Sequence, residues 1–154
     1  MEKLFNDSLT IAESGLVLRA MARSELRRVK PMVNCLLIDK NPTERQRLSK
    51  ILSGLGLQCE ERSGADEGIR FCHERKPEVV VMEASGVTAT KEFLRLVKYQ
   101  GRTNRRPVVI LYAAQPDILA MGDTIMEGAA DFLMMPFDSE LLQFKLAQAG
   151  VLPH

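Results

Sequence analysis

From residue 32 onward, short apolar runs alternate with segments of helical periodicity. Residues 33–38 are apolar except at Asn34, and residues 79–82 are the most β-branched run of the chain. Such continuous apolar runs are typical of buried parallel strands. Further strands are predicted at residues 58–61, 108–111 and 131–134. The polar composition of residues 58–61 indicates an edge strand.

Each predicted strand is followed by a helical pattern. The turn Asn41-Pro42-Thr43 starts the first helix, which stops near Gly54 and Gly56. The others are predicted at residues 65–74, 88–99, 116–127 and 140–149, and Asp138 is predicted to cap the last one. Five strand–helix units predict an α/β fold with a doubly wound parallel sheet and helices on both faces.

Residues 1–31 are predicted to form an N-terminal helical extension, separate from a domain at residues 32–154. Two apolar stripes run along the extension, and Pro31 ends it. The stripes favour packing on the chain's own domain or a homodimer through this helix. A set of arginines offers a patch for DNA, anionic lipid or an acidic protein: Arg19, Arg23, Arg27 and Arg28. With six basic and four acidic residues over positions 1–32, this set is typical of a solvated face.

Composition narrows the function classes. The 154 residues are 45% hydrophobic and 27% charged, with a net charge of +1 that makes a nucleic-acid partner unlikely. Three cysteines without a close pair indicate buried thiols in a reducing compartment, and no zinc spacing is present. No run of about 20 apolar residues and no secretory pattern is found, so we expect a cytoplasmic location without membrane, metal or cofactor.

The predicted strand ends carry the candidate chemistry, because ligands of open α/β sheets bind at the carboxyl ends of strands. Asp39 and Lys40 follow the first strand, Glu83 ends the third and Tyr112 ends the fourth. The fifth strand leads into Met135-Pro136. Neither histidine is spaced with a nucleophile, so we expect no enzyme.

Together these residues resemble the receiver domain of response regulators, the CheY-like family. The resemblance also rests on the Asn41-Pro42 turn and on Gly128-Ala129 with Pro136-Phe137. It implies the strand order 2-1-3-4-5, which sets Asp39 beside Glu83. It further implies phosphoryl transfer from a histidine kinase to an aspartate, assisted by Mg²⁺.

Four of the five reaction positions depart from the family pattern, so the resemblance implies a degenerate phosphorylation site. Asp39 alone survives. Lys40 replaces an acid, Glu83 replaces the phospho-accepting aspartate, Tyr112 replaces Thr or Ser, and Met135 replaces Lys.

We expect the Lys40 ammonium to take the place of the metal ion and to pair with Glu83 or Asp39. We expect the Tyr112 ring to fill the pocket, with its hydroxyl reaching solvent or a carboxylate. The resemblance also implies a cis bond before Pro136. Phe132 stands at the family's switch aromatic, and with Tyr112 beside it we expect one fixed state.

The leading hypothesis is a non-catalytic, phosphorylation-independent signalling adapter of the two-component type. It would bind a kinase, phosphotransferase, regulator or protease adapter, through the family's output face at residues 116–149. Glu83 could instead imitate the phosphorylated form, unless Lys40 neutralises it.

Three alternatives remain. One is a phosphorylatable regulator with unusual site residues, and another is a DNA-binding regulator that uses the N-terminal helix. The third, a flavodoxin-like nucleotide binder, is disfavoured because the first strand–helix turn contains no glycine.

Overall fold

The computed structural model describes residues 32–100 and 106–153. The predicted N-terminal helix at residues 1–31 and most of the basic loop at residues 102–106 lie outside this part of the chain. The helices and strands follow one another as β1 Val33–Ile38, α1 Pro42–Gly54, β2 Leu57–Arg62, α2 Ala65–Arg75, β3 Val79–Glu83, α3 Val87–Gln100, β4 Val108–Ala113, α4 Ile118–Met126, β5 Asp131–Met134 and α5 Ser139–Gln148.

All five strands are parallel and form one sheet in the order β2-β1-β3-β4-β5. This confirms the predicted fold class, the strand order and the position of β2 at an edge. Among the described residues, no helix has the length and apolar character needed to cross a bilayer.

Two apolar layers cover the two faces of the sheet. Because side chains alternate along a strand, Leu37 and Val81 belong to one layer, whereas Leu36 and Val80 belong to the other. The first layer packs against α1 and α5 and the second against α2 and α3. The face to which a strand-end residue points therefore decides its neighbours.

Side-chain caps set the starts of three helices. Asn41 accepts a hydrogen bond from the Glu44 amide at 3.1 Å, and Asp138 accepts one from the Leu141 amide at 2.9 Å. The helix predicted from residue 116 begins at Ile118, because Asp117 is its N-cap and accepts from the Leu119 amide.

Candidate functional site

The sheet topology brings the predicted site residues to one edge. β1 lies next to β3, and in the pairing of β3 with β4 Glu83 lies opposite Tyr112. Asp39, Lys40 and Glu83 line a shared crevice of about 230 Å³. The expectation that Asp39 and Glu83 border one crevice is thereby confirmed.

Asp39 is buried, and every polar group that it carries has a partner. Its Oδ1 accepts from the Asn41 amide at 2.9 Å, and its Oδ2 accepts from the Tyr112 hydroxyl at 2.5 Å. Its backbone carbonyl accepts from Nη1 of Arg45 at 2.6 Å, and its amide donates to the Arg62 carbonyl at 3.2 Å. A buried carboxylate needs such donors, because desolvation without hydrogen bonds costs several kcal/mol.

Tyr112 has no solvent exposure. Its ring lies in the layer under α1 and α5 and meets Phe137 edge to face, with ring centroids 5.8 Å apart. Burial, followed by the hydrogen bond to Asp39, raises the pKa of the Tyr112 hydroxyl well above its ordinary value. The hydroxyl is therefore protonated at neutral pH and donates to Asp39, so that of the two outcomes expected from the sequence it reaches the carboxylate.

Lys40 does not behave as expected. Its side chain is exposed, and no ion pair within 4.0 Å joins it to a carboxylate of the described residues. The expected pairing with Glu83 or Asp39 is therefore wrong. The physical reason is that Tyr112 and Asn41 already satisfy Asp39, so the ammonium gains more by staying hydrated.

Glu83 is half-buried at the end of β3. Its carboxylate has no hydrogen bond or ion pair within the described part of the chain. It also lines a second crevice, of about 350 Å³, between α3 and α4. Glu83 is thus a carboxylate at the opening of two crevices, without the cation that the sequence suggested.

Comparisons with known proteins agree with this topology. No family model matches the chain. The protein PilH of Pseudomonas aeruginosa is 27% identical over 116 residues, which make up 72% of this chain and 92% of PilH. The receiver domain of the sensor histidine kinase PA1611 from the same organism, with a magnesium ion coordinated in its active site cleft, has a TM-score of 0.67 at 20% identity over 77% of this chain and 97% of that one.

A third similar structure contains a protein complex. It is the co-crystal structure of the Saccharomyces cerevisiae histidine phosphotransfer protein Ypd1 with the receiver domain of Ssk1, with a TM-score of 0.64 at 18% identity over 78% of this chain and 90% of that one. The described part of this chain therefore has the fold of the CheY-like receiver domains that it resembles.

The receiver fold raises the question of a magnesium ion, and the donor set does not fit one. Mg²⁺ prefers several oxygen ligands in near-octahedral geometry. Here both Asp39 oxygens already accept protein hydrogen bonds, and Lys40 presents a positive charge at the same crevice. Within residues 32–100 and 106–153, no group of three or more His, Cys, Asp or Glu is arranged to hold a metal ion.

The remaining receiver positions follow β5. The bond between Met135 and Pro136 is cis, which confirms the expectation from the resemblance. Met135 is half-buried and packs against the layer that contains Tyr112, so an apolar side chain stands where the family pattern has a cation.

The expected contact of Tyr112 with Phe132 is wrong. Tyr112 pairs with Leu133 across the strands, whereas Phe132 pairs with Leu111. Tyr112 and Phe132 therefore point to opposite faces of the sheet, and Phe132 packs against the layer under α2 and α3. The expectation that Phe132 keeps a single state stays a prediction. Contact with Tyr112 can no longer be the reason for it.

Sequence reasoning missed Arg45. Its Nη1 donates to the Asp39 carbonyl and its Nε donates to Glu61 Oε1 at 3.0 Å, so it links the end of β1 to β2. The available signal was the position of Arg45, four residues after Asn41 and one turn into α1. At such a position a long side chain points back toward the start of the helix.

Proposed function

We propose that this protein is a non-catalytic, phosphorylation-independent adapter of two-component signalling that acts by binding another protein. The hydrogen bond from buried Tyr112 to Asp39 carries this proposal. It engages the one acid that survives from the family pattern, and it does so with a ring that fills the core beneath.

The other departures from the family pattern also disfavour phosphoryl transfer. Glu83 is one methylene longer than aspartate, which moves its carboxylate by roughly 1.5 Å. Phosphoryl transfer depends on positioning and on charge stabilisation by metal and lysine. Met135 supplies no charge, and the donor set does not suit Mg²⁺. We therefore treat Asp39, Lys40, Glu83, Tyr112 and Met135 as a degenerate phosphorylation site.

The partner class is proposed by analogy. The Ypd1–Ssk1 co-crystal structure places a receiver domain against a histidine phosphotransfer protein. A protein of similar fold that transfers no phosphate can still use its surface for a kinase, a phosphotransferase, a regulator or a protease adapter. A homodimer through the N-terminal helix stays a prediction, since it rests on residues outside the described part of the chain.

One observation favours a more specific version, in which Glu83 imitates the phosphorylated state. The sequence weakened this hypothesis, because Lys40 was expected to neutralise the Glu83 carboxylate. The described structure contains no ion pair between these two residues. The half-buried carboxylate of Glu83 at the crevice between α3 and α4 supports the hypothesis that the protein is permanently in its active state.

Affinity capture from the native cell tests the proposal. We expect the full-length protein to retain the same partner with and without acetyl phosphate and Mg²⁺. Capture that requires the phosphate donor would contradict the proposal.

The same capture with Glu83→Gln and Glu92→Gln tests the imitation. Glu92 is an exposed acid of α3 and serves as the matched control. Imitation predicts that the Glu83 variant alone binds the partner more weakly. Equal binding by both variants would show that the Glu83 charge plays no part.

A further inference from the structure

The sheet brings two of the three cysteines together. Cys35 of β1 and Cys59 of β2 are direct partners across the two parallel strands. Both side chains point to the layer under α1 and α5, because Cys35 belongs to that layer and Cys59 packs against it. The two residues lie 24 positions apart in the sequence, so only the strand register makes them neighbours.

The strand pairing holds the two cysteines within reach of a disulfide bond. Neighbouring strands lie about 4.8 Å apart, and disulfides join Cα atoms that are about 4.4–6.8 Å apart. The ladder continues on both sides of the pair, from Val33 with Leu57 to Ile38 with Arg62. The backbone therefore fixes one thiol beside the other, which favours a reaction between them.

The two thiols are in contact but differ in reactivity. The Cys35 thiol donates a hydrogen bond to the Cys59 sulfur, and this bond lowers the pKa of Cys59, although burial and the Glu61 carboxylate act weakly against it. The same hydrogen bond, together with burial, raises the pKa of Cys35. Cys59 is half-buried, whereas Cys35 is 1% exposed. Cys59 is therefore the thiol that a reagent reaches and that forms the reactive thiolate more readily.

The third cysteine, Cys72, stands apart from this pair. It belongs to the layer under α2 and α3, on the opposite face of the sheet. Burial raises the pKa of Cys72 to about 12, which disfavours its thiolate. Cys72 thus serves as an internal reference for a thiol without a partner.

From this geometry we infer that Cys35 and Cys59 are a redox modification site, which hydrogen peroxide oxidises to a reversible disulfide. The Cys59 thiolate attacks the O–O bond of the peroxide, becomes a sulfenic acid and releases hydroxide. The Cys35 sulfur then attacks the Cys59 sulfur, and the sulfenic hydroxyl leaves as water with the Cys35 proton.

This chemistry suits a reducing compartment, where the disulfides that form are usually transient and redox-sensing. A dithiol reductant reverses the modification by thiol–disulfide exchange. The inference goes beyond the proposed adapter function and does not depend on it, because the reacting atoms lie outside the degenerate phosphorylation site.

Oxidation of the full-length protein with hydrogen peroxide, followed by alkylation under denaturing conditions, tests the inference. Trypsin cleaves between the cysteines, so each of the three lies in its own peptide. We expect the alkylated cysteines to fall from three to one, which is Cys72. A cross-linked pair of peptides containing Cys35 and Cys59 should appear in the mass spectrum, and dithiothreitol should restore all three thiols.

Two variants separate the two steps. In Cys35→Ala the sulfenic acid of Cys59 has no thiol to attack it, so we expect it to accumulate and to be trapped by dimedone. In Cys59→Ser we expect oxidation of Cys35 to slow at least about tenfold, because its thiol is buried and its pKa is raised. Cys72→Ala is the matched control and should form the cross-link as the wild type does.

The methionines of the chain set the scale for the peroxide dose, since they form sulfoxides under oxidative conditions. If Cys35 and Cys59 both stay alkylatable at a dose that oxidises methionine, the inference is wrong. A disulfide that joins two copies of the chain through Cys59, or oxidation of Cys72 before Cys59, would also overturn it. The cross-link in the wild type decides the matter even if Cys35→Ala fails to fold.

Discussion

Replacing Tyr112 with phenylalanine isolates the interaction on which the site depends. The substitution keeps the ring in its fully buried position beside Phe137 and removes the hydroxyl that donates to Asp39. Asp39 is 5% exposed, so water cannot readily replace the lost donor. A hydrogen bond to a charged group contributes about 1.5–3 kcal/mol, and a buried acceptor without a donor costs a similar amount. We expect Tyr112→Phe to lower the free energy of unfolding by about 2 kcal/mol at pH 7.

Urea unfolding followed by circular dichroism measures this loss, provided that the denaturant dependence stays the same as in the wild type. A double-mutant cycle with Asp39→Asn separates the pair from other effects of each change. We expect a coupling energy of about 1–3 kcal/mol between the two positions. A loss below about 0.5 kcal/mol together with no coupling would refute the reasoning, because such values are typical of surface substitutions.

The pH dependence of the same pair gives a second check. Burial, and then the bond to Asp39, raises the pKa of Tyr112 in the folded state above the ordinary value of about 10. The stabilisation is therefore complete below pH 10 and is lost as the pH rises further, because the unfolded tyrosine then releases its proton. We expect the stability advantage of the wild type over Tyr112→Phe to shrink above about pH 10. An advantage that grew with pH would contradict this assignment.

Three further predictions concern other parts of the domain. Gly68→Ala should destabilise the fold by about 1–2 kcal/mol in urea unfolding, because the new methyl would push against Ile38 and helix propensity recovers only part of the cost. Cys59 should be alkylated before Cys72 in mass-spectrometric labelling, since a hydrogen bond lowers the pKa of Cys59 whereas burial raises that of Cys72 to about 12; faster labelling of Cys72 would contradict this. Restoring the receiver pattern should create Mg²⁺ binding in calorimetry that the wild type lacks, and equal heats for both proteins would count against the donor-set reasoning. The restoring substitutions are Lys40→Asp, Glu83→Asp, Tyr112→Thr and Met135→Lys.

Much of the fold could be predicted because its signals are local and repeated. Residues 79–82 form a continuous apolar run that suits only a strand buried on both faces, and Val79, Val80 and Val81 are indeed fully buried. The side-chain cap at Asp138 follows from chemistry within a single turn. The observed helix boundaries differ from the predicted ones by one or two residues. At α4, for example, the sequence pattern placed the start at a proline, whereas the structure has Asp117 as the N-cap.

The site was only partly predictable, because strand ends reveal which residues meet but not which groups bond. Alternation along β4 turns Tyr112 away from Phe132, and this depends on the register of β4 with β5. The partner of Asp39 was decided by a competition among a hydroxyl, an amide and an ammonium. The ammonium of Lys40 retains its hydration, and that balance of solvation is invisible in a sequence pattern.

Intact mass after incubation with acetyl phosphate and Mg²⁺ tests the central claim most directly, with a receiver domain that has an intact acidic site as the positive control. We predict that the wild-type mass stays unchanged while the control gains one phosphoryl group. A stable phosphoryl increment on the wild type that disappears in Glu83→Ala or Asp39→Asn would contradict the claim that this site is inert.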